Sequence, residues 1–167
     1  MGPSVAAVGR GVNRYNGPTM RVLALDVGDR NIGVALSDPT GILASPLTTV
    51  QRTGGKRDYQ RVLDLVRDRE AELIVIGMPV SLDGVPREQA VATQAFSDEL
   101  SRRSPVPVVT WDERLTTVEG ERRMREAGAS AQQRKQGRDS AAAAVLLQAY
   151  LEHLRMSRER RDSDESA

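Results

Sequence analysis

The chain has 167 residues, a length that fits one domain with flexible terminal segments and excludes a second sizeable domain. Its 24 basic and 23 acidic residues leave a formal net charge of +1, so net charge indicates neither a nucleic-acid nor a membrane partner. The absence of cysteine excludes disulfide scaffolds, Cys-ligated zinc, iron–sulfur clusters and thiol nucleophiles. With His153 as the single histidine, metal chemistry would rest on carboxylates.

The two ends of the chain differ in composition from the middle. Residues 1–19 are rich in Gly, Pro and Asn and lack hydrophobic periodicity, which predicts a flexible extension. Residues 156–167 are a charged run, for which we expect a disordered tail. We therefore expect a single folded domain over residues 20–155. Because the sequence has neither a membrane-length apolar run nor a secretory signal, we expect a cytoplasmic protein without a membrane partner.

The folded region opens with three predicted strands. Arg21–Val27 and Ile32–Ser37 alternate apolar with other residues on either side of a short turn-like segment, a pattern typical of antiparallel strands. Ser45–Val50 lies between the turn-forming sequence of residues 38–41 and the Gly54-Gly55 pair, which predicts a third strand. The opening is thus an antiparallel meander.

Two helix–strand units follow the meander. Lys56–Glu70 carries an apolar stripe at helical spacing, and Leu73–Gly77 is a continuous apolar run typical of a strand buried on both faces. A second helix is predicted over Arg87–Arg103, before a strand over Val106–Trp111. Right-handed crossovers place both later strands parallel to the first. In the second helix we expect the inward-facing residues to be Val91, Ala92, Ala95, Phe96 and Leu100.

The last third of the chain is predicted to be helical. Thr116 and Glu119 have the spacing of a capping box for a helix over Thr116–Ala127, and Asp139–Arg155 has the most strongly helical sequence. The order β-β-β-α-β-α-β-α-α predicts an α/β domain with a mixed five-stranded sheet, an antiparallel meander of three strands plus two parallel strands, flanked by helices. This is the order of the ribonuclease H-like fold, and other α/β arrangements share it.

Three acidic positions stand where elements begin or end. Asp26 interrupts the apolar first strand near its end, where a turn would also explain it. The Asp112-Glu113 pair directly follows a strand, at the kind of edge where α/β proteins place their sites, although a polar connection would also explain it. Asp139 precedes the last helix and could simply cap it. Docking that helix on the open face of the sheet would bring Asp139 toward Asp26.

Convergence of these acids would define a particular chemistry. Three carboxylates without histidine or cysteine form a hard, oxygen-only site suited to Mg²⁺ or Mn²⁺. Two such ions about 3.5–4 Å apart can activate water and stabilise the leaving oxygen in phosphodiester cleavage. The chemistry would be hydrolytic.

Four ordered motifs resemble those of the YqgF/RuvX family of ribonuclease H-like proteins. The first is LDVGDRNIGVA at residues 25–35, followed by Ser37-Asp38, and the second is VIGMP at residues 75–79, followed by Leu82-Asp83-Gly84. The other two motifs are DERLTT at residues 112–117 and DSAA at residues 139–142, with LQAYL at residues 147–151. The resemblance spans about residues 21–151, nearly all of the predicted domain.

The resemblance implies a metal-dependent nuclease in which Asp26, Glu113 and Asp139 are catalytic and bind two Mg²⁺ or Mn²⁺ ions. The family is associated with processing the 5′ end of pre-16S ribosomal RNA and, for some members, with resolving Holliday junctions. It thus implies structured RNA or branched DNA as partner and is consistent with a homodimer. Two other hypotheses are a ribonuclease H-like module that binds nucleic acid without cutting it, and a phosphotransferase related to the actin-like ATPases, whose two lobes this chain is too short to form.

Other residues of the motifs carry less specific expectations. We expect Arg30, Arg87 and Arg114 to bind substrate phosphates, with a solvated surface role as the alternative for each. Asn31 stands where the family usually has a basic residue, and the loop over residues 84–87 is shorter than usual, which affects substrate handling. Asp38 fits either a turn or the first motif. We expect His153, four helical turns from Asp139, to be structural or exposed.

Overall fold

One five-stranded sheet organises the molecule. The computed structural model describes residues 20–79, 87–113 and 137–167, so the predicted N-terminal extension, the predicted helix over residues 116–127 and Arg114 lie outside the described residues. The strand order is β3-β2-β1-β4-β5. The strands are β1 (Val22–Val27), β2 (Asn31–Ser37), β3 (Ala44–Gln51), β4 (Leu73–Met78) and β5 (Val108–Asp112). The described helices are α1 (Lys56–Asp68), α2 (Arg87–Arg103) and α3 (Arg138–Glu165).

The pairing of the strands confirms the predicted meander and crossovers. β1 pairs antiparallel with β2, which pairs antiparallel with β3, while β1–β4 and β4–β5 are parallel. The carboxyl ends of β1, β4 and β5 therefore meet at one end of the sheet. β5 begins two residues later than predicted, because the Ser104 hydroxyl holds Val106 in a turn and Pro107 has no N–H to donate.

The sheet separates two apolar layers. Val22 and Ala24 of β1 face α3, where they pack with Leu147. Leu23 and Leu25 face the opposite side, where α1 and α2 pack. Because β1 is covered on both faces, its sequence is nearly all apolar, and Asp26 is the exception. Since strand residues alternate, Asp26 lies on the α3 side.

A buried aspartate fixes the start of α1. Asp58, in the first turn, accepts hydrogen bonds from the backbone N–H groups of Thr53 and Gly54 and from the Thr53 hydroxyl. Gly54 has a φ of 82°, a left-handed conformation that glycine adopts at no steric cost. The helix ends at Asp68, two residues before the predicted end, since Glu70 is itself left-handed at a φ of 55°.

The predicted inward face of α2 is partly wrong. Val91 is 68% exposed, and Ala92 and Ala95 also face solvent. The inward stripe has the spacing i, i+3, i+4, i+7, shared by Thr93, Phe96, Ser97 and Leu100. The two large side chains, Phe96 and Leu100, set the rotation of the helix, because alanine buries too little apolar area to compete.

The predicted disordered tail is helical in the structure. α3 continues from Arg138 to Glu165 without interruption, although its buried residues end at Leu151. The tail contains no Gly or Pro, and it spaces Arg and acidic residues four apart, as at Arg158 and Asp162, a spacing that favours an exposed helix. No helix among the described residues is both long and apolar enough to cross a membrane.

Candidate active site

Asp26 lies between two glycines near the end of β1. It pairs with Gly33 of β2, and on the other side it lies one residue beyond the Leu25–Ile76 pair, next to Gly77 of β4. Neither neighbour has a side chain on the α3 face. The half-buried Asp26 carboxylate therefore borders space that the sheet leaves open on both sides.

Gly33 lets α3 approach the sheet beside Asp26. A Cβ atom at Gly33 would lie only 1.8 Å from the backbone oxygen of Asp139, so any larger residue would displace the first turn of α3. Asp139 does not cap the helix, as its sequence position suggested, because Gly137 is the N-cap residue and the cap has no side-chain hydrogen bond. The contact places Asp139 next to the Asp26 carboxylate.

Gly77 performs a similar role for Glu113. Glu113 follows β5, two residues after the buried Trp111, and so lies on the α3 side of the sheet. Its Oε1 lies 2.9 Å from the position of a Cβ atom at Gly77, where two Leu146 methyl groups also approach. One side of Glu113 is exposed, while its carboxyl group is partly buried against the sheet. The described structure thus brings all three predicted acids to one end of one face.

The three carboxyl groups influence one another. Burial, and then the charge of Asp139, raise the pKa of Asp26. Burial, followed by the charges of Asp26 and Asp112, raises the pKa of Glu113. Asp26 therefore repels both of the other acids, and a cation at this end of the sheet would relieve the repulsion.

The donor set suits a hard divalent cation. All candidate ligands are carboxylate oxygens, and Gly33 and Gly77, which have no side chains of their own, let Asp139 and Glu113 approach the sheet. Among the described residues, no three Asp, Glu or His side chains lie close enough together to hold one ion as they stand. The acids are instead coupled in two pairs that share Asp26, Asp26–Asp139 and Asp26–Glu113.

The predicted phosphate-binding arginines are described only in part. Arg30 is exposed in the turn between β1 and β2, at the same end of the sheet as Asp26. Arg87 is the first residue of α2, and Arg114 lies outside the described residues. Their role as substrate ligands stays a prediction.

Two further residues of the motifs lie away from the acids. The Asp38 carboxylate accepts hydrogen bonds from Thr40 and from the N–H groups of Ile42 and Leu43, which makes it a turn residue at the other end of β2. His153 is exposed and packs against Trp111 at a centroid distance of 4.9 Å, as expected for a residue outside the site.

The sequence did not reveal the role of Arg52. Its Nη1 donates a hydrogen bond of 2.9 Å to the Gly28 carbonyl, and its backbone N–H donates one of 2.8 Å to the Arg30 carbonyl. Its Nε lies 3.7 Å from Asp58, and its guanidinium stacks over Phe96. Burial opposes ionisation of Asp58, but the Thr53 and Gly54 hydrogen bonds outweigh it and lower the pKa of Asp58. The only sequence signal for this role was the position of Arg52 directly before the Thr53-Gly54-Gly55 turn. The role could not be predicted, because the partners Gly28 and Phe96 are distant in sequence.

The fold has counterparts among solved structures. Two structures of Thermus thermophilus RuvC are similar to it: one in complex with a Holliday junction substrate (TM-score 0.51, 14% identity, 82% of this chain and 96% of that one), and one described as the RuvC structure (TM-score 0.54, 14% identity, 83% and 97%). At this identity the likeness establishes the fold, which is ribonuclease H-like.

Sequence relatives extend the identification from fold to family. The profile described as "RuvX: Holliday junction resolvase" matches residues 20–153. A protein of Roseiflexus sp. (strain RS-1) named "Putative pre-16S rRNA nuclease" is 44% identical over 81% of this chain and 96% of its own length. One of the same name from Clostridium novyi (strain NT) is 43% identical over 81% of this chain and 100% of its own. Fold and relatives together define a nuclease, a hydrolase acting on ester bonds. The chain belongs to the RuvX family.

Proposed function

We propose that this protein hydrolyses phosphodiester bonds in the 5′-end processing of pre-16S ribosomal RNA, with Asp26, Glu113 and Asp139 as catalytic residues. The observation that carries the proposal is the meeting of these carboxylates on one face of the sheet, made possible by Gly33 and Gly77. The names of the relatives support the RNA substrate. Precursor rRNA as substrate also supports a cytoplasmic location.

The same residues are proposed to hold Mg²⁺ or Mn²⁺. Asp26 interacts with both of the other acids, so it would help to hold both ions, with Asp139 as a further ligand for one and Glu113 for the other. Two divalent ions, when bound, supply the activation of water and the stabilisation of the leaving oxygen. The fixed positions of Asp26 and Asp139 on a strand and a helix orient that chemistry, and the exposed side of Glu113 leaves the site open to a large substrate.

The test is cleavage by wild-type protein and the Asp26→Asn variant in parallel. Precursor 16S rRNA and a four-way DNA junction are each incubated with Mg²⁺ or Mn²⁺. We expect wild type to cut the RNA, and the variant to lose cleavage while retaining RNA binding. Equal cleavage by both proteins would remove these acids from the mechanism, because a contaminating nuclease would explain the activity.

A second candidate is resolution of Holliday junctions. The family description names this activity, and a junction with two equivalent strands to cut suits a homodimer. In the assay above, symmetric cleavage of the DNA junction without cleavage of the precursor RNA would favour it. Binding of either substrate without cleavage under both metals would instead favour a non-catalytic module.

A further inference from the structure

Four basic residues lie at the end of the sheet that carries the acids, on the side of β2 and β3. Gln51, the last residue of β3, pairs with Asn31, the first of β2, so the segment entering α1 lies at the same end as the β1–β2 turn. These two segments, residues 28–31 and 51–57, contain one exposed acid, Asp29. Their basic residues are Arg30, Arg52, Lys56 and Arg57.

Arg52 joins the two segments. Its side chain and backbone donate to the carbonyls of Gly28 and Arg30, and Asp58 and Phe96 hold its guanidinium in place. Arg52 is thus engaged internally, with a side chain 25% exposed. Arg30, Lys56 and Arg57 are exposed, and none has an ion-pair partner among the described residues.

The placement of Lys56 and Arg57 opposes helix stability. They are the first two residues of α1, where the helix dipole favours acidic side chains and disfavours cations. The acid of this turn, Asp58, is occupied by Thr53 and Gly54 and does not neutralise them in an ion pair. Unpaired cations at a helix start are unfavourable on their own, and an anion bound there would make them favourable.

We propose that Arg30, Lys56 and Arg57 form a surface, the α1 basic rim, that binds the sugar–phosphate backbone of the nucleic acid entering the acidic site. Phosphate contacts of this kind position a strand without reading its sequence. This inference rests on the proposed function for its choice of partner, and its binding test requires no cleavage.

The test is the Lys56→Gln/Arg57→Gln variant, measured in EDTA by fluorescence anisotropy with a labelled single-stranded RNA. We expect weaker binding and a slope of log Kd against log salt that is shallower by about 1.4, because each lost contact to a single strand removes about 0.7. The matched control is Arg67→Gln/Arg69→Gln, two exposed arginines in the last turn of α1 and directly after it, which should bind as wild type does. The melting temperature of the Lys56/Arg57 variant should be equal to that of wild type or higher.

The outcomes separate this surface from the proposed function. The proposed surface would be wrong if the Lys56/Arg57 variant bound RNA with the affinity and salt dependence of wild type. It would also be wrong if the Arg67/Arg69 control lost as much RNA affinity as that variant. If wild type binds RNA through the rim but cleaves nothing with metal, the proposed function fails and the surface stands. If wild type does not bind, both are wrong.

Discussion

Two glycines determine whether the acidic residues can meet. A Cβ atom at Gly33 would strike the backbone of Asp139, and one at Gly77 would lie against the Glu113 carboxylate. The choice of Glu113 over Asp112 came from the family resemblance. Asp26, Asp139 and the Asp112-Glu113 pair could be selected from the sequence, because each interrupts or borders an apolar element. The glycine contacts could not, because they depend on distances between elements far apart in the chain.

The main effect of Gly77→Ala should be a lower cleavage rate, with a smaller effect on the free energy of unfolding. The added methyl group would shift the Glu113 carboxylate, and a displacement near 1 Å at a catalytic centre lowers rates by about 10²-fold. Single-turnover cleavage and urea unfolding would measure the two effects. Gly55→Ser is the control, because nothing lies within 4 Å of that Cβ position and serine is a favoured N-cap residue. Wild-type cleavage by Gly77→Ala would contradict the proposed role of Glu113.

The metal-free protein should gain stability as pH falls from neutral into the range where its carboxyl groups take up protons. The pKa values of Asp26 and Glu113 are raised above 3.8 and 4.5, so the folded state binds these protons more tightly than the unfolded state, and stability is lost as pH rises through that window. The pKa of Asp58 is lowered below 3.8, so protonation of Asp58 reduces the stability of the folded state only in more acidic solution. Urea unfolding in EDTA at several pH values measures the profile.

Asp26→Asn should flatten that profile and stabilise the metal-free protein at neutral pH, because it removes the charge shared by both acidic pairs. Asp98→Asn, on the exposed face of α2, is the control, because it removes a carboxylate that belongs to neither acidic pair. An identical pH dependence in wild type and Asp26→Asn would show that the carboxylates do not interact.

At the scale of elements, the hydrophobic pattern predicts where the helices and strands lie. It does not predict the rotation of α2 about its axis or the length of α3. The five strands and three described helices were all predicted, since strands buried on both faces and amphipathic helices have strong periodic signals. The rotation of α2 was not predicted, because Phe96 and Leu100 belong to both the predicted and the observed inward stripe. Packing on the sheet decides between the two stripes. The length of α3 was not predicted either, because a charged composition indicates exposure rather than disorder.

α3 is fastened to the turn between β2 and β3 by one buried side chain. The Gln148 amide donates to the Ile42 carbonyl and accepts from the Ala44 N–H, both at 3.0 Å. This substitutes for ladder hydrogen bonds where β3 begins. The contact fixes α3 on the sheet near the middle of the helix, as Gly33 fixes its first turn.

Gln148→Met should destabilise the protein by about 1–3 kcal/mol, because the buried Ala44 N–H would lose its acceptor while side-chain volume is nearly preserved. Chemical denaturation with an unchanged m-value would measure it. Gln94→Met, which removes an exposed hydrogen bond to Asp98, should cost far less. Equal effects of the two substitutions would contradict a specific role for Gln148.

At the scale of the whole molecule, Mg²⁺ or Mn²⁺ should raise the melting temperature. A ligand that binds only the folded state at a hundredfold excess over its Kd contributes about 2.7 kcal/mol, or about 5–10 °C for a chain of this size. Asp26→Asn should lose most of this shift, and a monovalent salt of equal ionic strength is the control. A shift of the same size in the variant would place the ion elsewhere.

The acids of the site come from opposite ends of the folded chain. Asp26 is on the first strand, while Asp139 opens the last helix and arrives only when that helix settles onto Gly33. A nascent polypeptide still held in the ribosomal exit tunnel beyond β5 thus has an incomplete set of carboxylates. In the proposed mechanism, cleavage therefore requires a chain whose C-terminal helix has been synthesised and has packed on the sheet.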